Sequence, residues 1–347
     1  MSMLRIAVVG VGWAGSRHVE AIRELDRKLT VAALVDNDAG HLHTQSTELG
    51  IDQTYTEYEA ALADPDIDAV SLCTPHALHC PMALQAAAAG KHILVEKPMA
   101  VTVDEATQMI EAANRHDVRL YVAENESYTP MARFLRQLVQ TGEPIGELTV
   151  ASFVGGFRGP NYGYPGRRAW LGEPAAGGTG TWMLHGIHSM AQLRYIFAAY
   201  GEVETVYMVE HKAGSFARRD VEGTMSGLLT LASGLAVSVV QTAESKLYGT
   251  LGGYLLHGDR GSVRAGRHDY EVYTDEHAEH PVRMTYPPAP LSDYAQEMEA
   301  FADYINGVAT GPTTGESERR SLAIVQAGYE SAAGGRPVHL RERFGEL

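Results

Sequence analysis

An α/β chain in two parts is the fold class that the sequence predicts, and three features predict it. Over the first ~120 residues short apolar strand patterns alternate with helix patterns, the mark of a parallel sheet with helices on its faces. From Gly146 to Tyr286 strand patterns follow one another instead, which indicates an α+β part built on a large, mostly antiparallel open sheet. A glycine-rich turn, Gly10-Val11-Gly12-Trp13-Ala14-Gly15, links the first strand to the first helix. The 347 residues suit two domains of ordinary size, divided here as 1–123 and 124–347.

The elements follow in order. Leu4 to Val9 reads as a strand, and Arg17 to Arg27 as a helix with Val19, Ala21, Ile22 and Leu25 on its buried stripe. Val31 to Val35 is a strand ending at Asp36. Glu57 to Ala63 is a short helix stopped by Asp64-Pro65. Ala69 to Cys73 and His92 to Val95 are strands. Between them lies a helix from Pro81 to Ala89, with Gly90 just past its end. Thr102 with Glu105 is a capping-box pattern for a helix reaching His116, and Val118 to Ala123 is a fifth strand. Met131 to Gln140 is an amphipathic helix. The strand patterns then run at Leu148–Phe153, Glu204–Glu210, Gly223–Leu231, Ala236–Gln241 and Tyr254–His257, interrupted by a helix near His185 to Phe197. After Pro287-Pro288-Ala289-Pro290 two helices are predicted, Ser292 to Asn306 and Glu316 to Ala332.

Composition narrows the function classes. With 45% hydrophobic and 20% charged residues the chain can bury a sizeable core without a metal or disulfide staple. A net charge of −15 argues against nucleic acid and against anionic membrane surfaces as partners. The two cysteines, Cys73 and Cys80, match neither a redox pair nor a zinc pattern. The N-terminus enters a strand directly and no stretch has the length of a membrane span, so a cytoplasmic setting is expected.

Gly10, Gly12 and Gly15 form GxGxxG between a strand and a helix. The first permits the tight turn, the second lets a pyrophosphate approach the backbone, and the third lets the helix pack close. The helix start then offers N–H groups and partial positive charge to an anion. This pattern predicts a Rossmann domain, with Trp13 and Ala14 also at the cofactor. Asp36 closes the second strand roughly 20 residues further on, where a ribose-binding carboxylate is expected. Asn37 follows, with no Arg or Lys close by, so NAD is expected in preference to NADP. The alternative for Asp36 is the cap of a turn.

Chemistry is expected where strands end. Glu96-Lys97-Pro98 follows the fourth strand, and burial beside a cationic nicotinamide would lower a lysine pKa. Downstream lies Gly177-Gly178-Thr179-Gly180-Thr181-Trp182-Met183-Leu184-His185-Gly186-Ile187-His188. His188 titrates in the range of a general base, or it is a structural histidine. His185 and His188 share a helix face, but a third and fourth zinc ligand are wanting, so no metal is expected. Arg158, Tyr162, Tyr164, Arg167, Arg168 and Trp170 form a cluster suited either to gripping a substrate or to an oligomer-facing loop.

Taken together these motifs resemble the glucose–fructose oxidoreductase / inositol dehydrogenase / rhizopine catabolism (Gfo/Idh/MocA) family over nearly the whole chain. The resemblance rests on the glycine loop, Thr74-Pro75-His76-Ala77-Leu78-His79, Glu96-Lys97-Pro98, Ala123-Glu124-Asn125 and Gly186-Ile187-His188. It also takes in Glu299-Ala300-Phe301 and Ala327-Gly328-Tyr329-Glu330-Ser331-Ala332. It implies hydride transfer on a secondary alcohol or ketone of a sugar, cyclitol or related ring, with Lys97 and His188 at the reacting hydroxyl. Thr74, Pro75, His76, His79, Glu96, Lys97 and Asn125 are then expected at the cofactor. Glu124, Tyr128, Arg158, Tyr162, Arg168, Trp170, His185 and His188 are expected at the substrate. Two positions depart from the family pattern. Leu184 stands where Asp is usual, with His185 as a candidate replacement, and His76 stands where Asn is common. A redox-neutral, NAD-recycling reaction is the alternative activity, and an NAD-responsive binding protein the alternative class. The open sheet face predicts a homodimer or homotetramer.

Overall fold

The computed structural model describes residues 3–25, 27–156, 169–173, 176–177, 180–245, 252–277 and 279–347. It divides into two compact units. One comprises Met1–Tyr128, Ala175–Gly177 and Pro290–Arg319, and the other Thr129–Pro174, Gly178–Ala289 and Arg320–Leu347.

In the first unit the chain runs β1 (Leu4–Val9), α1 (Trp13–Arg23), β2 (Leu29–Val35), α2 (Ala39–Leu49), β3 (Thr54–Tyr55), α3 (Tyr58–Ala63), β4 (Ala69–Leu72), α4 (His79–Ala88), β5 (His92–Glu96), α5 (Val103–Arg115) and β6 (Leu120–Ala123). The strands form one parallel sheet in the order β3-β2-β1-β4-β5-β6. Strand order reverses between β1 and β4, so the carboxyl ends of these strands open the crevice where such sheets bind ligands. β1, β4 and β5 are mostly apolar, with Ile6–Val9 and Ile93–Val95 uninterrupted, because both faces of a parallel sheet are covered.

The second unit contributes α6 (Pro130–Thr141), β7 (Leu148–Gly156), α7 (Ile187–Ile196), β8 (Val203–His211), β9 (Thr224–Leu231), β10 (Ala236–Thr242), β11 (Gly252–Gly258), β12 (Gly261–Gly266), β13 (Asp269–Thr274) and β14 (Val282–Thr285). Then come α8 (Asp293–Ile305), α9 (Gly315–Gly334), β15 (Val338–His339) and α10 (Leu340–Phe344). Nine strands form the second sheet in the order β14-β13-β12-β11-β7-β10-β9-β8-β15. All its pairs are antiparallel except β7 with β10. Side chains alternate across it. Ala151, Phe153, Val206, Met208, Leu229, Val237, Val239, Tyr254 and Leu256 are buried, whereas Val150, Val154, Tyr207, Val209, Leu228 and Leu255 are exposed. Phe134 of α6 stacks on Tyr270 of β13 at 4.0 Å between ring centroids.

α8 belongs to the first unit although it follows the second sheet in sequence. Its Ala295, Met298, Phe301 and Ala302 join a core with Val19, Ile22, Leu34 and Tyr121. Fully burying a side chain such as Phe301 contributes about 1.5–3 kcal/mol. A single cut after Ala123 does not anticipate this return of the chain. Further elements were not expected, among them α2 and β12 to β14. α2 has only Leu42 buried and therefore no apolar stripe to read, and it starts because Asp38 caps it by accepting the His41 N–H at 3.0 Å. β12 to β14 carry charged and glycine residues that mask their alternation. The first helix begins at Trp13 and ends at Arg23, earlier at both ends than its apolar stripe indicates.

The predicted capping box is formed. Thr102 accepts the Glu105 N–H at 3.2 Å, and Glu105 accepts the N–H groups of Thr102 and Val101. Thr102→Ala should therefore lower the unfolding free energy by about 1 kcal/mol in urea titrations. An unchanged midpoint would show that the cap does not hold α5.

Candidate active site

The glycine loop is shaped by contacts that only glycine permits. Gly10 has φ +86°, and a Cβ there would lie 2.6 Å from the Cys73 carbonyl oxygen. A Cβ at Gly15 would overlap the carbonyl of Gly10, so α1 starts hard against the turn. Gly12 differs, because a Cβ there meets nothing within 4 Å, and no side chain caps α1. The loop therefore offers an open surface at a helix start, which fits a pyrophosphate. Asp36, buried at the end of β2, accepts the Val11 N–H at 3.2 Å and the Asp38 N–H at 3.1 Å. His41, which the sequence did not single out, donates to the Val11 carbonyl at 2.9 Å. Trp13 is exposed with the Arg17 guanidinium 5.8 Å above its ring, Ala14 is half-buried and Asn37 is exposed. This donor and acceptor set fits a dinucleotide.

Lys97 sits half-buried just past β5. Its backbone N–H donates to Glu96 Oε2 at 3.1 Å, and Glu96 Oε1 meets His18 Nε2 at 3.1 Å. The other His18 nitrogen lies 2.7 Å from Ser71 Oγ, and His18 is fully buried. His18 falls on the inner face of α1, three residues beyond the last glycine, and buried polarity at that spacing was the only signal for it. Thr74 and Pro75 lead from β4 into a short turn of helix at His76–Leu78. His79 is buried, with Nδ1 at 2.9 Å from the Pro98 carbonyl and Nε2 at 2.9 Å from that of Thr74. It lies between the two strand ends, and its neutral ring donates to one of these carbonyls at a time.

His76 is buried, and its Nδ1 donates to the Gly177 carbonyl at 2.9 Å. Burial, with the charges of His79 and Lys97 adding to it, pushes its pKa down to about 3. Gly177 has φ +79° and packs directly on His76 and Ala77, so this neutral imidazole fastens the start of the glycine-rich segment.

Acidic groups gather in the same unit. Glu124 is fully buried and accepts the Glu126 N–H at 3.2 Å. Burial pushes its carboxyl up to about 8, while the positive charge of Lys97 acts in the opposite direction. Glu297 of α8 is also fully buried, with neither carboxyl oxygen hydrogen-bonded to a described residue. Burial holds it far above the usual carboxylate range. Asn125 donates to Asp293 at 2.8 Å. The Tyr128 hydroxyl lies 2.7 Å from that of Tyr121, inside the unit.

In the second unit a wide helical turn over Trp182–Gly186 runs into α7 and carries the histidines. His185 and His188 are both half-buried, with ring centroids 6.4 Å apart. Leu184 packs with Phe216, Val221 and Ala243, an apolar setting in which an aspartate would be costly. Trp170 is half-buried in a short helical turn. Arg158, Tyr162, Tyr164, Arg167 and Arg168 lie outside the described residues, as do Gly178 and Thr179. The sequence reading missed Glu222, a buried acid beneath the histidine segment, because no motif marks it.

Fold and motifs together define a dinucleotide-dependent oxidoreductase, and comparison with known proteins agrees. Residues 4–124 match the family model described as an oxidoreductase family with NAD-binding Rossmann fold, and residues 136–340 match its C-terminal alpha/beta domain. The chain belongs to the Gfo/Idh/MocA oxidoreductase family. It is 26% identical over 351 residues to myo-inositol 2-dehydrogenase of Thermotoga maritima, covering 99% of this chain and 100% of that protein. It is 29% identical over 316 residues to 1,5-anhydro-D-fructose reductase of Ensifer adhaerens, covering 89% and 91%. Its fold matches that of aldose-aldose oxidoreductase from Caulobacter crescentus, solved with glycerol. The TM-score is 0.85 at 24% identity, covering 97% of this chain and 100% of that one.

The His76 environment sets a pH dependence. An imidazole held at about 3 in the fold and near 6.5 when unfolded leaves the unfolded chain binding more protons between those values. Stability is then fully present above pH 6.5 and falls as pH drops toward 3, by up to about 1.4 kcal/mol per pH unit for one group. His79, lowered in the same direction by burial, adds to the slope. His76→Asn keeps a donor for Gly177 and cannot protonate, so the slope of unfolding free energy between pH 4 and pH 6.5 should become shallower. Equal slopes in the two proteins would refute the assignment.

Proposed function

We propose that this protein is an NAD-dependent oxidoreductase that transfers hydride between nicotinamide and a secondary alcohol or ketone of a sugar, a cyclitol or a related ring compound. The observation that carries this reading is Lys97 at the carboxyl end of β5, held through its backbone by Glu96, in the unit that also contains the glycine loop and Asp36. The names of the inositol and anhydrofructose relatives support a ring polyol as substrate. Asp36 favours NAD, because a second anion at the ribose 2′ position would sit against its carboxylate.

Oxidation of a carbinol removes hydride from carbon and a proton from oxygen. Bound nicotinamide supplies the hydride acceptor, or the donor in the reverse direction. In this reading Lys97 Nζ and a ring nitrogen of His188 hydrogen-bond the substrate hydroxyl, and one of them takes its proton. His185 adds a polar group where Leu184 leaves out the family acid. Glu124, Tyr128 and Trp170 line the substrate, with Glu124 acting as a neutral carboxyl donor. Thr74, Pro75, His76 and Asn125 shape the cofactor wall, and His79 supports it through the two carbonyls it lies between. Residues 1–123 are proposed to serve mainly the dinucleotide, and 124–347 mainly the substrate and self-association, with Lys97 and Asn125 crossing that division.

Lys97→Ala and His188→Ala should each lower kcat about a hundredfold or more, with NAD affinity largely kept. Turnover near the parent rate in both would sink the assignment. The apolar surroundings of Leu184 favour a second reading, a redox-neutral reaction in which transient oxidation acidifies a neighbouring C–H and NADH is consumed again. Absorbance at the NADH band separates the two, because stoichiometric accumulation supports the dehydrogenase and its absence over full turnover supports recycling.

A second copy of the chain is the partner proposed for the exposed sheet face, giving a homodimer or homotetramer. Leu255, Leu228 and Tyr207 lie in one row across the strands, with Val150, Val154 and Val209 beside them, all well exposed. Leu228→Glu should reduce the solution mass to that of a monomer in light scattering. A parent protein that is already monomeric at every concentration would overturn this. The two free cysteines support a cytoplasmic setting, and no described helix is long and apolar enough to cross a membrane.

A further inference from the structure

The histidine-bearing segment is held at its start by a buried acid that no motif identifies. Four successive backbone N–H groups open this turn, and each has an acceptor. Thr181 N–H donates to the Glu222 carbonyl at 3.2 Å, and Trp182 N–H to Glu222 Oε1 at 2.7 Å. Met183 N–H donates to the Tyr329 hydroxyl at 3.1 Å, and Leu184 N–H to the Gly180 carbonyl at 3.1 Å. The Tyr329 hydroxyl in turn donates to Glu222 Oε1 at 3.2 Å, so a single carboxyl oxygen collects two donors. Gly180 is required here, since a Cβ would fall on the Glu222 carboxylate. Trp182 is locked as well, its Nε1–H donating to Val325 O at 3.0 Å while Gly186 and Gly328 make room for its ring. The segment beyond this clamp carries Leu184, His185 and His188.

We propose that Glu222 is a positioning residue for the reaction: through Trp182 directly and through Tyr329 to Met183, it fixes the turn that aims His185 and His188. It acts through these groups and does not touch substrate. The functional half of this inference rests on the proposed role of His188, and its structural half does not. Burial pushes the Glu222 carboxyl up to about 7, against the pull of the Trp182 N–H, its own N–H and the Tyr329 hydroxyl, with Glu210 adding to the rise. An acid kept at this energetic disadvantage is consistent with a geometric duty that a smaller apolar residue would not perform.

The test combines Glu222→Ala, Glu222→Gln and Tyr329→Phe in the full chain. It reads kcat, KM for NAD, and amide exchange of Trp182 and Met183 by NMR. Glu222→Ala should accelerate exchange at both amides and lower kcat about tenfold to a hundredfold, leaving KM for NAD unchanged. Glu222→Gln keeps an acceptor oxygen and should restore most of kcat and the protection of Trp182. Tyr329→Phe, a milder change that covers the case in which Glu222→Ala does not fold, should accelerate exchange at Met183 and reduce kcat less. Unchanged exchange in Tyr329→Phe, or Glu222→Gln as impaired as Glu222→Ala, overturns the proposal. If the exchange results hold while His188→Ala retains full turnover, the clamp stands and the functional reading of His188 falls.

Discussion

Backbone polar groups released at the ends of strands and the starts of helices must find partners when buried, and in this protein the side chains that satisfy them are the ones that shape the candidate sites. An unmade hydrogen bond inside a fold costs about 1–3 kcal/mol, a large share of a domain's net stability. Asp36 meets this demand for Val11, Glu96 for Lys97, His79 for one of the carbonyls of Thr74 and Pro98, and Glu222 for Trp182. In each case a titratable group is committed to the backbone. The loop it holds then becomes a fixed surface for a ligand, which is what preorganised catalysis needs.

How much of this was legible in the sequence depends on how local the cause is. The GxGxxG loop, the Thr102–Glu105 capping box and the alternation of β7 through β11 each depend on neighbours in sequence, and each reads directly. α2 was illegible because a cap and a left-handed Gly50, not an apolar stripe, define it. The return of α8 to the first unit depends on Phe301 and Met298 meeting Val19 and Ile22 across more than two-thirds of the chain, a pairing no local pattern encodes. Lys97 and His188 stood out by motif. Glu222, His18 and Glu297 did not, and Tyr329 stood in a motif with no role attached, because their significance arises from what they face and from burial, neither of which has a sequence period.

The acids in the first unit show the same principle through charge. Glu96, Glu124 and Glu297 influence one another, and His18 and Lys97 are the positive or protonatable groups among them. Three carboxylates ionised together in a buried space would repel strongly; burial pushes the carboxyls of Glu124 and Glu297 up, while Glu96 accepts the Lys97 N–H and faces His18.

Leu184 and His76, the two departures from the family pattern, make sense as a pair of local adjustments. Leu184 packs with Phe216, Val221 and Ala243, apolar neighbours beside which an ionised side chain would be costly to bury. Removing that acid takes negative charge from the vicinity of the histidines, so the segment's orientation cannot rely on an Asp–His attraction. The load passes to hydrogen bonds ahead of it and at its start. His76 grips Gly177 before the segment, and Glu222 with Tyr329 grips Trp182 and Met183 where the helical turn begins. The neutral imidazole of His76 and the Glu222 carboxyl, pushed up to about 7, each hold backbone groups of their own unit.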